Sequence, residues 1–258
     1  MPGAATFPTS RTAVLTGAAS MRGIGRATAD RLAAQGWSIA ILDLSGDDAT
    51  AAAETISRER GVQAIGVRAD VSDQASVDTA IATVEKSMPP IVGLSNLAGI
   101  SSPTPFMETT VEEWDKVFAT NMRGTFIVSQ RVLGGMIARR LGRIVSISSI
   151  SAQRGGGTYS KVAYSASKAA IIGFTRALAR EVGEFHITVN AIAPGPIDTD
   201  IMGGTLTDDR KAQLADGILV GRIGTTDDVA ALTTFLMGED AGFITAATYD
   251  INGGLQVS

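Results

Sequence analysis

A chain of 258 residues, 45% apolar and 5% aromatic, is long enough to bury a substantial core and short enough to do so as one domain spanning residues 1–258. Its 22 basic and 26 acidic side chains leave a net charge of −4, which gives no electrostatic reason to expect nucleic acid or an anionic membrane surface as a partner. The absence of cysteine excludes disulfides, thiolate catalysis and cysteine-ligated metals, while the single histidine, His186, reads as structural, so no metal is expected.

Taken in chain order, strand and helix patterns alternate. Residues 13–15 read as a short buried strand running into a Gly-rich turn with Gly17, Gly23 and Gly25, after which residues 24–35 read as a helix stopped by Gly36. Strand, Gly-rich turn and helix N-terminus together form a phosphate cradle, because glycines admit a close backbone approach and the helix dipole favours an anion. The next strand, 38–42, ends in Asp43, about 20 residues beyond the glycines, where an acid can accept hydrogen bonds from an adenosine ribose. A helix over 49–60 and a strand over 63–68 follow, with Asp70 and Val71 at the strand's end, then a helix over 72–86 with Ser72 as its cap. A fourth strand, 91–95, empties into Asn96-Leu97-Ala98-Gly99.

Residues 111–140 read as one long helix, bent near Gly124 or the Gly134-Gly135 pair and carrying Asn121. The strand 143–147 leads to Ser148 and Ser149, to a glycine run at 155–157, and to a helix over 161–183. A sixth strand, 187–192, runs into Pro194, Gly195, Pro196, Ile197, Asp198 and Thr199; the polar segment beyond, around 198–217, reads as a substrate lid. A helix over 227–237 and a strand over 248–251 close the chain. This alternation predicts an α/β fold: a Rossmann-like, doubly wound parallel sheet of about seven strands, helices on both faces, and the ligand at the strands' carboxyl ends. The sequence contains no apolar window of about 18 residues and no basic-then-apolar leader, so a soluble cytoplasmic protein is expected.

Within the 161–183 helix, Tyr164 and Lys168 stand four residues apart and so share one face. A phenol titrates near pH 10, so it serves as a base near neutrality only if a cation stabilises its anion, at about 1.4 kcal/mol per pKa unit. Lys168 supplies such a cation. Oxidising an alcohol needs a group to take the hydroxyl proton and an acceptor for the hydride, with no metal required if a phenolate does the first task. Asn121 in mid-helix is disfavoured by propensity, which points either to a role or to a buried structural amide.

The motifs Thr16-Gly17 with Gly23-Ile24-Gly25, Asp70-Val71, Asn96-x-Ala98-Gly99, Asn121, Ser149, Tyr164-x-x-x-Lys168, and Pro194-Gly195 followed by Ile197 and Thr199 occur in order, and over nearly its whole length the chain resembles the short-chain dehydrogenase/reductase family. The resemblance implies that Tyr164 is the acid/base, that Ser149 holds the substrate oxygen, that Lys168 binds the nicotinamide ribose and lowers the Tyr164 pKa, and that Asn121 supports a proton-relay water. Three features depart from the family pattern. Five residues rather than three separate Gly17 from Gly23; the Ser149–Tyr164 loop is about two residues longer than is common, which keeps Ser151 open as an alternative to Ser149; and Leu97 replaces the second Asn of Asn-Asn-Ala-Gly.

Cofactor choice turns on Asp43, which would bond a free 2′-hydroxyl, against Arg22, which could attract a 2′-phosphate; the expectation is NAD, with NADP as the alternative. The implied activity is interconversion of a secondary alcohol and a ketone on a small-molecule substrate. The alternatives are an NADPH-dependent 3-oxoacyl (carrier-protein) reductase and a non-catalytic dinucleotide-binding regulator. The two helices 111–140 and 161–183 are longer than one sheet face needs, and the second is apolar on several sides, so a homotetramer is expected.

Overall fold

The computed structural model describes residues 6–157, 159–202 and 204–257. Seven strands, β1 (Thr12–Thr16), β2 (Ser38–Asp43), β3 (Ala64–Arg68), β4 (Ile91–Asn96), β5 (Gly142–Ile147), β6 (Ile187–Pro194) and β7 (Thr248–Ile251), form one sheet in the order β3-β2-β1-β4-β5-β6-β7. Every pairing is parallel. Helices α1 (Ile24–Ala34), α2 (Gly46–Arg60), α3 (Gln74–Ser87), α4 (Val111–Phe118), α5 (Gly124–Arg139), α6 (Ser151–Arg154), α7 (Val162–Val182), α8 (Asp208–Ala215) and α9 (Thr226–Met237) connect them.

The five inner strands, β1, β2, β4, β5 and β6, are buried on both faces, which is why they read as largely apolar runs, while the edge strands β3 and β7 are only partly buried. Ala13, Leu15, Ile39 and Ile41 point to one side with α1, α2 and α9; Val14, Ala40 and Leu42 point to the other with α3, α5 and α7. Helix ends follow local chemistry. Ser45 caps α2 by accepting from the Asp48 amide and Gly61, at φ 69°, ends it, while Thr225 and Asp228 close a reciprocal capping box on α9.

The helix predicted over 111–140 is interrupted by a π turn at Ala119–Arg123, between α4 and α5; the Gly134-Gly135 pair stays inside α5. Asp73, not Ser72, caps α3, because the Ser72 amide and hydroxyl both donate to Asp70. The 198–217 segment is partly helical: α8 starts at a Thr207 cap with Asp208 and Asp209 in its first turn. Among the described residues no helix is long and apolar enough to cross a membrane. The chain leaves β1 toward β2 and β3 on one side and returns through β4 toward β5–β7 on the other, so a crevice opens at the carboxyl ends of β1 and β4.

Candidate active site

The Gly-rich loop lies at that crevice. Gly17 has φ +64°, and a Cβ there would come within 2.7 Å of the Ala98 Cα, so only glycine lets the β1 and β4 ends close on each other. Thr16 fixes the approach: its hydroxyl oxygen accepts from the amides of Leu97 and Ala98, both at 3.1 Å. Gly23 precedes α1 with no side chain to cap it, and α1 has no acid in its first turn, so its leading amides and dipole are left for an external anion. Asp43 ends β2 half-buried beside this loop, its carboxylate accepting from the amides of Ala19 (3.1 Å) and Ser45 (3.3 Å). These residues fit the diphosphate and ribose of a dinucleotide. Among the described residues no cluster of His, Cys, Asp or Glu could hold a metal ion.

Arg22 is engaged by the 198–205 segment. Its guanidinium pairs with Asp198 at 2.8 Å and Asp200 at 3.1 Å and also bonds the Thr205 hydroxyl, while Lys211 holds the other Asp198 oxygen at 2.9 Å. The Gly-rich loop is therefore tied through Arg22 to the 198–205 segment. Asp70, at the end of β3, is held below the usual carboxylate range by the Ser72 hydroxyl and amide and by Arg123 and Arg68. Val71 is buried where α5 begins, against Gly124. Asn96 lies beneath the crevice, its amide donating to the hydroxyls of Ser129 and Ser146 and tying β4 to α5 and β5.

The proton-transfer candidates converge where β5 meets α7. Lys168, only 4% exposed, donates to the Ile147 carbonyl at 2.8 Å, and the Ser148 hydroxyl donates to the Lys168 carbonyl at 2.8 Å, so the end of β5 grips the lysine twice. Burial lowers the Lys168 pKa to about 8. Burial pushes the Tyr164 phenol up, and a hydrogen bond from Ser149 opposes it. The lysine nitrogen sits 5.7 Å from the centre of the tyrosine ring. The net direction at Tyr164 is upward, not the depression that the resemblance implies for Lys168.

Ser149, rather than Ser151, meets the phenol. Ser151 stands behind it, with its amide (3.1 Å) and hydroxyl (2.9 Å) on the Ser149 oxygen. Asn121, fully buried in the π turn, accepts from the Ile100 amide (2.8 Å) and donates to the Ile100 carbonyl (3.1 Å) and the Ser167 hydroxyl (3.0 Å). Ser167 in turn donates to the Tyr164 carbonyl at 2.7 Å, so Asn121 braces the turn that carries the tyrosine. Gly99 makes room: a Cβ there would stand 3.2 Å from the Asn121 Oδ1 and 3.3 Å from the Lys168 Nζ.

A cavity of about 570 Å³ joins the two halves. Gly17, Gly23, Ile24 and Gly25 line it from the β1 side; Ser149, Tyr164, Lys168 and Gly99 from the β4 and β5 side; and Pro194, Gly195, Ile197 and Thr199 from the end of β6. Sequence reasoning named Thr16 and Ser148 without giving either a role and did not single out Ser167; the Thr16 and Ser148 hydroxyls bond backbone atoms of other segments, and the Ser167 hydroxyl bonds the Tyr164 carbonyl on its own helix, signals with no fixed spacing.

Compared with known proteins, residues 17–256 match the family model described as Enoyl-(Acyl carrier protein) reductase. The chain is 40% identical over 247 residues to the uncharacterized short-chain type dehydrogenase/reductase y4mP of Sinorhizobium fredii, covering 96% of this chain and 98% of that one. It is 39% identical over 236 residues to the 3-oxoacyl-[acyl-carrier-protein] reductase FabG of Aquifex aeolicus, with 92% and 94% covered. A crystal structure of 3-oxoacyl-[acyl-carrier protein] reductase from Brucella melitensis superimposes with a TM-score of 0.89 at 30% identity, covering 100% of this chain and 99% of that one.

Proposed function

The chain belongs to the short-chain dehydrogenase/reductase family and is an oxidoreductase that binds a nicotinamide dinucleotide, and from that premise we propose that it interconverts a secondary alcohol and a ketone with NAD. The observation that carries this reading is the meeting of Ser149, Tyr164 and Lys168 in the same cavity as the Gly-rich loop. In this reading the α1 N-terminus with Gly17, Gly23, Ile24 and Gly25 holds the cofactor diphosphate, and Asp43 holds its ribose. Asp70, Val71, Asn96, Ala98, Gly99, Pro194, Gly195, Ile197 and Thr199 shape the remainder of the cofactor site. The bound dinucleotide supplies or accepts the hydride. Tyr164 gives a proton to the ketone oxygen in reduction and takes it from the alcohol in oxidation, Ser149 donates a hydrogen bond to that oxygen, Lys168 stabilises the phenolate charge, and Asn121 braces them.

Two observations support NAD over NADP. The Asp43 carboxylate stands at the end of β2, where a 2′-phosphate would meet like charge, and Arg22 is committed to Asp198 and Asp200. A second reading, reduction of a 3-oxoacyl thioester, is favoured by the relatives' names and by apolar cavity residues such as Leu97, Ile150 and Leu255. A panel of secondary alcohols, polyols, simple ketones, 3-oxoacyl thioesters and 2-enoyl thioesters, followed by NADH and NADPH absorbance, separates the readings. Turnover of simple alcohols and ketones with NAD(H) supports the first; selective turnover of 3-oxoacyl thioesters supports the second. Tight cofactor binding with no turnover on any member would leave a non-catalytic binder.

A further inference from the structure

Ser149 sits at the junction of β5 and α6, and its oxygen is approached from behind by two groups of one residue. The Ser151 amide lies 3.1 Å from the Ser149 Oγ and the Ser151 Oγ lies 2.9 Å from it. A hydroxyl has one hydrogen and two acceptor lone pairs. With the Ser151 amide and hydroxyl both donating to those lone pairs, the single Ser149 hydrogen is directed to the cleft side, where Ser149 bonds Tyr164. Ser151 borders the cavity but is only 3% exposed, so little of it is open to water.

We propose that Ser151 is a positioning residue: its hydroxyl polarises and orients the Ser149 hydroxyl, so that Ser149 donates and never accepts at the reacting oxygen. The inference rests on the reading that Ser149 and Tyr164 act on the substrate oxygen, and it gives a function to the second serine of Ser149-Ile150-Ser151. A chain of hydrogen bonds in a largely buried site strengthens each member by polarisation, on the order of 10–30% per bond. The amide bond from Ser151 already makes the local turn that opens α6, so the turn does not need the hydroxyl. The hydroxyl is therefore separable from the fold.

The charged side chains around the cavity near Tyr164 are Lys168 on α7, Arg154 on α6 and Asp200 of the 198–217 segment. Ser151→Ala leaves all three in place and removes only the hydroxyl donor to Ser149, keeping the amide one. Less hydrogen bonding to the phenolate raises the Tyr164 pKa, and because alcohol oxidation needs the phenolate, the acid limb of the oxidation profile moves to higher pH.

The test is kinetics of Ser151→Ala and Ser151→Thr on the whole protein, with Tyr164→Phe as reference. For Ser151→Ala, kcat should fall roughly three- to tenfold, the worth of one neutral hydrogen bond. The acid limb of the oxidation profile should rise, while cofactor Kd and Tm stay at the wild-type values; Ser151→Thr, which keeps the hydroxyl, should restore kcat and limb together. Unchanged kcat and limb in Ser151→Ala overturn the proposal, as does a loss of Tm and cofactor affinity with an unmoved limb, which marks a merely structural serine. If Tyr164→Phe keeps its activity, the underlying assignment fails and the proposal falls with it; if Tyr164→Phe is dead and Ser151→Ala behaves as wild type, only the proposal fails.

Discussion

Burial and the Ser149 hydroxyl pull the Tyr164 proton in opposite directions, and burial is the larger effect, so the phenol keeps its proton at neutral pH. On the proposed mechanism, ketone reduction needs a protonated Tyr164 and alcohol oxidation needs the phenolate. Reduction should therefore hold steady through neutral pH and decline on the alkaline side, where Lys168, lowered to about 8, also surrenders its charge. Oxidation should climb as the phenol ionises. Initial rates in both directions across this range check the sign, and an oxidation rate that drops between about pH 7 and pH 8 would contradict it. At Asp43, substitution by Ala should shift the NAD/NADP ratio of kcat/KM toward NADP by about 1.5–3 kcal/mol, the worth of a hydrogen bond to a charged group. A ratio that stays put would assign cofactor choice to another residue. Tyr164 and Lys168 were legible because a four-residue spacing on a helix is a local rule. Ser149 was favoured over Ser151 because it directly follows the strand, but the hydrogen bonds from Ser151 to the Ser149 oxygen had no signal in the sequence.

The π turn at Ala119–Arg123 illustrates what periodicity misses. No Pro announces it, and within it the buried Asn121 amide pairs with both backbone groups of Ile100, 21 residues away, a contact that periodicity does not encode. The helix α8 was invisible for a different reason: none of its residues is buried, so it has no apolar face to repeat. Its segment is nonetheless tied to the Gly-rich loop, through Arg22 to Asp198 and Asp200 and through Lys211 to Asp198. If this tether helps close the lid, Arg22→Ala should speed NADH release by roughly two- to fivefold, as expected for partly exposed ion pairs, and weaken its salt dependence. Stopped-flow NADH fluorescence measures both, and an unaltered release rate with unaltered salt dependence would show the tether to be idle.

Strand and helix succession carried the fold: continuous apolar strands alternating with helices already imply a doubly wound parallel sheet, and the sheet has the expected seven strands. Assembly is a separate matter. The outward side of α7 presents Ala169, Gly173 and Ala177 exposed, and Phe174 lines a groove with Phe118, Met122 and Phe126, the last 44% exposed. A stripe of small residues beside aromatic ones suits close packing of a helix against its symmetry mate. We expect a homotetramer, so sedimentation at micromolar concentration should give about four times the 26.6 kDa chain mass. Twice that mass would mean that one of two faces is used, and the mass of a single chain would remove the argument from these helices.

The central claim is that the Tyr164 phenol carries the proton. Steady-state turnover of Tyr164→Phe, on whichever panel substrate the wild type uses and beside NADH titration of the same variant, tests it most directly. A fall in kcat of at least about a hundredfold with NADH affinity nearly intact is expected, because the ring is kept and only the proton carrier is lost. Retention of more than a few per cent of wild-type kcat would place the proton transfer elsewhere.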